Sequence, residues 1–347
     1  MAAEKEKTMM DLVKLVSPGT SLRNVIDDLA RSNLGAMIVF DSPELRAANI
    51  TEGGFKINCK FTAQKLFELC KMDGAIIVSS NLKRILFANV VVNPDLSIHT
   101  LETGTRHRAA ERTAKQAKTF VIAVSERRNK TTLYVGNHRY YLKSVEEVIR
   151  NISSTLQVLE KQRELLDEAL ANLSVLEVSE LVSVSDVCKV VQRAEMILKI
   201  SGTVKRSFTE IGRDGNVMHM RYRELIKGVE KVESDVLRDY AVIPMKRART
   251  LLSNITFDGL LDLESIARLL MDNSLDVGIS PKGYRFLSHL TLTERDISVV
   301  VRSFGSLKNL IDAGEQELEA VLRNRAGTIR GEIENLREQI LSGKIVY

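Results

Sequence analysis

Apolar positions change their period along the chain, and the changes divide it. From Leu22 to Leu34 they recur at helical spacing up to Gly35, which predicts a helix stopped by that glycine. Ala36-Met37-Ile38-Val39-Phe40 follows as a short buried strand. Thr62 to Met72 returns to helical spacing, with Thr62 as cap and Leu66, Phe67 and Leu69-Cys70 facing inward. Ala75 to Ser79, Ile85 to Val92 and Phe120 to Val124 are runs rich in branched residues and predict strands. Thr131 to Val135 and His138 to Leu142 flank Gly136-Asn137, a two-residue hairpin signal. The region to residue 144 is therefore expected to be one mixed sheet flanked by helices.

Beyond it the period becomes purely helical. Ile152, Leu156, Leu159, Arg163, Leu166, Leu170 and Leu173 are spaced by four and three, the seam of a long helix or coiled coil. Gly and Pro are absent from Val145 to Ile200, which predicts a continuous spine in which Arg163 marks a polar contact or the end of one packing partner. Val187 to Ile200 and Met220 to Tyr240 continue the helical pattern. After Ser280-Pro281-Lys282-Gly283-Tyr284-Arg285 come short helical segments, Glu294 to Phe304, Ser306 to Ala313, Gln316 to Leu322 and Arg325 to Leu341. The expected class is multidomain, α/β plus all-α: residues 1–144, a helical spine 145–280, and a small helical module 281–347.

Composition narrows the function classes. The chain has 347 residues, no Trp and a net charge of +5, with pI near 9.0, a balance that mildly favours polyanionic partners. No apolar stretch approaches the roughly 20 residues that cross a bilayer, and Met1 to Lys7 lacks the apolar segment of a signal peptide. Three cysteines without metal-type spacing, Cys59, Cys70 and Cys188, fit a reduced cytoplasmic protein with structural thiols. In the tail, Arg295, Arg302, Arg323 and Arg325 are offset by many acids, so net charge alone assigns it no nucleic-acid role.

Two motifs carry chemistry. Asp73-Gly74-Ala75 sets a carboxylate at the mouth of a buried strand, beside a glycine that permits close approach of backbone or ligand. Such a carboxylate can hold Mg²⁺ or Mn²⁺ or activate a hydroxyl; an Asp-Gly pair is also a common turn. Gly104-Thr105-Arg106-His107-Arg108 opens a helical pattern running to Lys118, with Thr103 or Thr105 as cap and Glu111 paired to Lys115. The helix dipole disfavours cations in a first turn. Two arginines there favour an anion at that end, held by backbone N–H groups and guanidiniums together; the plainer alternative is a solvated basic helix start. Ser125-Glu126-Arg127-Arg128-Asn129 follows the run Val121 to Val124 and supplies a third wall, or a basic surface loop.

Lys71 to Ile76, Gly104 to Arg112 and Val121 to Asn129 resemble the diadenylate cyclase domain, and the whole chain resembles the bacterial DNA integrity scanning family, including Pro18-Gly19-Thr20 and Gly53-Gly54-Phe55. The resemblance implies that two ATP condense to cyclic di-AMP with release of two pyrophosphates. Asp73 would bind the Mg²⁺ or Mn²⁺ and activate the ribose 3′-hydroxyl. Gly74 and Val92 would border the nucleotide. Thr105, Arg106, His107, Arg108 and Ala109 would surround the phosphates, and Ser125 and Arg128 would reach the triphosphate. It further implies an octamer with facing cyclase domains, and a C-terminal helix-hairpin-helix domain that engages branched or damaged DNA. The alternative function is a DNA-structure-binding protein whose nucleotide domain senses ATP without turnover. Two departures stand out. Ala109 replaces the family's Thr, and aligning Glu319 to Arg323 on the second hairpin puts Ala320 and Leu322 where the family has glycines.

Overall fold

The computed structural model describes residues 12–127 and 130–343. The chain divides into two units. The first gathers the described residues up to Ile152 with Arg206–Asn216; the second holds Ser153–Lys205 and the residues from Val217 onward.

In the first unit, α1 (Ser21–Arg31), β1 (Ala36–Phe40), α2 (Pro43–Ala48), β2 (Thr51–Glu52), β3 (Phe55–Lys60), α3 (Ala63–Leu69), β4 (Ala75–Val78) and β5 (Arg84–Val92) precede α4 (Thr105–Ala117), followed by β6 (Phe120–Val124), β7 (Thr131–Val135) and β8 (His138–Leu142). The sheet runs β2-β5-β4-β1-β6-β7-β8, with β3 pairing β5. It is mixed, because β1 and β4 are parallel while β1 and β6 are antiparallel. Strand β1 shows why a continuous apolar run was needed. Ala36, Ile38 and Phe40 enter a core with Val25, Ile26 and Leu29 of α1 and Leu66 of α3. Met37 and Val39 enter a second core on the opposite face, against Ala110, Ala114 and Ala117 of α4. Successive side chains point to opposite faces, so a strand covered on both sides has no polar position.

The hairpin β7–β8 closes on Gly136-Asn137, and Thr62 caps α3 through Lys65 N–H, both as expected. Helix α1 stops earlier than Gly35. Asn33 takes the left-handed conformation (φ 51°) and Leu34 N–H closes on Leu29 O at 2.9 Å, so Asn33 does the work assigned to the glycine.

The long helix α5 (Val145–Val178) buries the Leu156, Leu159, Leu166, Leu170 and Leu173 seam. Arg163 interrupts it as a polar contact, pairing with Asp167 at 2.9 Å and donating to Lys227 O at 2.8 Å. The spine is not continuous. It breaks at Ser179–Ser183, with Glu180 at φ 60°, and resumes as α6 (Val184–Ile211). A reciprocal cap forces the restart: Asp186 N–H donates to Ser183 Oγ while Ser183 N–H donates to Asp186 Oδ2. The Met220 to Tyr240 pattern is likewise two helices, α7 (Asn216–Ile226) and α8 (Val229–Tyr240), parted at Gly228 (φ 78°). Then come α9 (Met245–Asn254), α10 (Phe257–Leu261) and α11 (Leu263–Leu270).

The tail comprises α12 (Tyr284–Leu287), α13 (Glu294–Phe304), α14 (Leu307–Asp312), α15 (Glu315–Leu322) and α16 (Ala326–Leu341), around Leu287, Val300, Leu310, Leu318 and Ile329. Ala320 and Leu322 belong to the last turn of α15, not to a hairpin turn. The turn falls on Arg323–Arg325, with Arg323 at φ 53°, a conformation that favours glycine. No helix among the described residues is long and apolar enough to cross a membrane. Cys70 and Cys188 are buried, and burial pushes both thiols up to about 12, which makes them poor nucleophiles; Cys59 is half-buried.

In the second unit, burial first, and then the Glu195 charge and its hydrogen bond, push the Glu233 carboxyl up to about 8. The native state thus holds a proton that the unfolded chain releases near the ordinary Glu value. Its contribution to stability is complete below that value and is lost as pH rises through about 8. Thermal melting between pH 5 and 9 is expected to show this decline and Glu233→Gln to make it shallower. The rest comes from Asp239, whose carboxyl is pushed up to about 7 by burial and then the Glu177 charge. An unchanged slope in the variant removes the Glu195–Glu233 pair as a source.

Candidate functional site

Four of the candidate residues meet at one end of the sheet. Asp73 and Gly74 immediately precede β4, and the pairing of Ala75 with Val90 brings the end of β5, with Val92, alongside them. Ser125 follows β6, whose pairing of Val124 with Ala36 sets it beside the start of β1. The parallel pairing of Met37 with Ala75 puts the starts of β1 and β4 level. One sheet edge therefore presents two strand beginnings and two strand ends. Gly74 is required there by backbone. Its φ is 82°, and a Cβ on it would lie 2.8 Å from Val90 O. Asp73 is exposed and makes no hydrogen bond or ion pair with a described residue.

Helix α4 brings the basic motif to the same edge. Its N-cap is Gly104, with no side-chain capping bond, so neither Thr103 nor Thr105 fills the expected capping role. Gly104 starts a helix well because it tolerates the extended cap conformation, and it leaves the first-turn N–H groups without a side-chain acceptor from the cap. No acidic residue lies in the first turn. Arg106 is half-buried, Arg108 and Thr105 are exposed, and His107 is half-buried with Nδ1 on the Gly104 side. Ala109 packs against the second core, so its side chain offers nothing to a ligand. Arg128 lies outside the described residues.

Sequence reasoning missed the strap that delivers this motif. The segment between β5 and α4 lies along α4 and is held by residues on one helix face. Arg112 donates from Nε to Ile98 O at 2.9 Å and from Nη2 to Leu96 O at 3.0 Å. Lys115 donates to His99 O at 2.8 Å, and Gln116 Oε1 accepts from Asp95 N–H at 2.9 Å. The expected Glu111–Lys115 pair is present at 2.7 Å. Burial alone would raise the Glu111 carboxyl, but hydrogen bonds from Lys115 and Thr100 outweigh it and hold the group below the ordinary carboxylate range. At the loop's end Tyr134 donates to Glu102 at 2.9 Å. The available signal was the spacing of Arg112, Lys115 and Gln116, which puts three long polar side chains on one face.

Among the described residues no group of three or more His, Cys, Asp or Glu gathers to hold a metal. A chelating protein cage of the zinc kind is thus not formed by them. A hard cation bound by one carboxylate, water and substrate phosphates asks less of the protein, and the exposed Asp73 beside the Gly74 cradle fits that donor set.

Residues 23–139 match the family model described as DisA bacterial checkpoint controller nucleotide-binding, and residues 142–274 match the DisA bacterial checkpoint controller linker region. The DNA integrity scanning protein DisA of Clostridium kluyveri is 37% identical over 98% of this chain and 99% of its own length. That of Symbiobacterium thermophilum is 39% identical over 97% of this chain and 98% of its own. Among solved structures, a double mutant of DacA from Staphylococcus aureus is 20% identical, covering 41% of this chain and 90% of that one, with a TM-score of 0.30.

Proposed function

This chain belongs to the DisA family of bacterial DNA integrity scanning proteins, and on that premise we propose that it is a diadenylate cyclase coupled to DNA structure. The observation that carries the reading is the meeting of Asp73, Gly74, Val92 and Ser125 at the sheet edge where α4 presents Arg106. Each ribose 3′-hydroxyl attacks the α-phosphorus of the other ATP. The α–β phosphoanhydride bond breaks and pyrophosphate leaves, and two such steps close cyclic di-AMP. Asp73 activates the 3′-hydroxyl by accepting its proton and would hold Mg²⁺ or Mn²⁺, whose contribution when bound is neutralisation of phosphate charge. Arg106, Arg108 and the uncapped N–H groups of α4 hold the phosphates in line, with His107, Ser125 and Arg128 around them.

One edge supplies one nucleotide's half-site, so the reaction needs two copies facing each other about a twofold axis. Leu96 and Leu101, 76% and 66% exposed on the strap, suit burial between such copies. The full assembly is an octamer, with residues 1–144 as cyclase, 145–280 as spine and 281–347 as the DNA-binding module. In that module Arg325 is engaged internally, with Asp296 at 3.0 Å. Of the two arginines at the turn, Arg323 is the one whose side chain makes no hydrogen bond or ion pair with a described residue, and it is placed to meet a phosphate.

The test is direct. Purified full-length protein is incubated with ATP and Mg²⁺ or Mn²⁺, with and without branched DNA, and cyclic di-AMP is measured. Product formation that responds to the DNA supports the reading. ATP binding without product favours the sensor alternative instead. Within the site, Arg106→Ala is expected to weaken ATP binding about tenfold, the loss of one charge-assisted contact, and Arg108→Ala to weaken it less, because it is exposed. Unchanged ATP titrations in both would return the motif to a solvated helix start.

A further inference from the structure

With the C-terminal capping role taken by Asn33, Gly35 is left without the purpose its position in the sequence suggested. Its backbone gives no reason for glycine either, since its φ lies outside the left-handed region, unlike that of Gly74. What fills the missing side chain's place is a guanidinium. A Cβ on Gly35 would lie 2.1 Å from Arg106 Nη1, 2.7 Å from Cζ and 3.2 Å from Nη2. Nothing else is that close, so the space is reserved for the end of one side chain.

The location gives this contact its meaning. Gly35 directly precedes β1. The pairing of Ala36 with Val124 sets it beside Ser125, and the pairing of Met37 with Ala75, run back two residues, sets it level with Asp73. Arg106 is therefore laid across the middle of the candidate edge. What sets it apart from Arg108, whose side chain likewise makes no hydrogen bond or ion pair with a described residue, is its packing on Gly35. It also differs from the arginines already engaged elsewhere in the unit. Arg112 is spent on two carbonyls, Arg46 on Asp41 and Arg139 on Glu102. Arg106 makes no hydrogen bond or ion pair with a described residue. It is oriented by packing on a bare peptide, and its five N–H donors stay available for an anion.

We propose that Gly35 is a positioning residue: the absence of its side chain is the seat that holds the Arg106 guanidinium over the sheet edge, aimed at a nucleotide phosphate. The inference rests on the cyclase reading for the identity of the anion, while the seat itself is a property of the two residues. Any side chain at position 35 must move the guanidinium, because no Cβ is accommodated at 2.1 Å. The obstacle is the far end of a flexible side chain, so the fold tolerates the substitution and the alignment does not.

A double-mutant cycle tests this, with Gly35→Ala, Arg106→Ala and the double variant in the full chain. ATP affinity, cyclic di-AMP turnover and thermal melting are measured for each. Gly35→Ala is expected to weaken ATP binding about tenfold, close to the effect of Arg106→Ala, and to add less than about twofold on the Arg106→Ala background. Where Gly35→Ala lowers the melting temperature, the double variant is expected to restore it, because the clashing group is gone. An equal loss of ATP affinity from Gly35→Ala with and without Arg106, or a lowered melting temperature that removal of Arg106 does not restore, overturns the seat. Normal binding and turnover in Gly35→Ala, with an active wild type, overturn this inference and leave the cyclase reading standing. Wild-type protein that binds no ATP overturns both that reading and the phosphate role of the seat.

Discussion

Asp73→Asn is expected to lower cyclic di-AMP formation by about 10³-fold or more while ATP affinity stays within about threefold. Asn has the same shape and keeps an acceptor oxygen, so the turn before β4 survives. Asp73 is exposed and unbonded to any described residue, so folding does not depend on its charge. On the proposed cyclase reading, what the substitution removes is the negative charge that would activate the 3′-hydroxyl and hold a cation beside the phosphates. Those interactions strengthen as the transition state forms and contribute little to ground-state binding, which the basic motif provides. Product quantified by chromatography, alongside ATP titrations of the same preparation, separates the two effects. Near-normal turnover would take Asp73 out of its assigned role, and loss of ATP binding would make it a binding residue instead.

Buried runs and chemically distinctive motifs were legible in the sequence, and conformational breaks were not. Strand β6 and the β7–β8 hairpin fall where the apolar runs and Gly136-Asn137 put them, because a strand covered on both faces admits few alternatives. Strand β3 was missed although Phe55, Ile57 and Cys59 alternate with polar residues. Its pairing with β5 slips between Lys56 and Cys59, where Asn58 takes φ 45°, so no clean period survives. The break in the spine carried a signal of a different kind, the Ser183–Asp186 capping box, which is invisible to a search for Gly and Pro. The tail shows the converse error. A family pattern of glycines was laid on Ala320 and Leu322, whereas the turn is made by Arg323 in a conformation its side chain does not favour. In the candidate site, the basic motif drew attention in the sequence because two arginines opposing a helix dipole need an explanation. The sheet register that gathers the candidate residues could not be read there, because pairing between β1, β4 and β6 is a tertiary choice.

Glu177→Ala is expected to cost about 3–5 kcal/mol, enough to lower the melting temperature by roughly 10 °C. Glu177 of α5 and Arg285 of α12 form an ion pair with side chains only 2% and 7% exposed. Its remaining polar atoms are occupied: Tyr240 donates to Glu177 Oε1 at 2.7 Å, and Arg285 Nη1 donates to Ser174 Oγ at 3.0 Å. Asp239 of α8 completes the cluster by accepting the N–H groups of Gly283 and Tyr284 at 2.7 Å and of Arg285 at 2.9 Å. The cluster thus joins the end of α5 to the first helix of the tail through charges that water cannot reach. Removing one partner leaves the other buried and uncompensated, and that desolvation penalty is the source of the large loss. The same reasoning predicts that the apolar pair Glu177→Leu with Arg285→Met is more stable than either single change, because the two paired charges leave together and Asp239 keeps its three backbone N–H donors. Calorimetric melting of the three variants reads the cycle. A Glu177→Ala loss below about 1 kcal/mol, typical of an exposed pair, would mean that water reaches the cluster and that it does not fix the tail to α5.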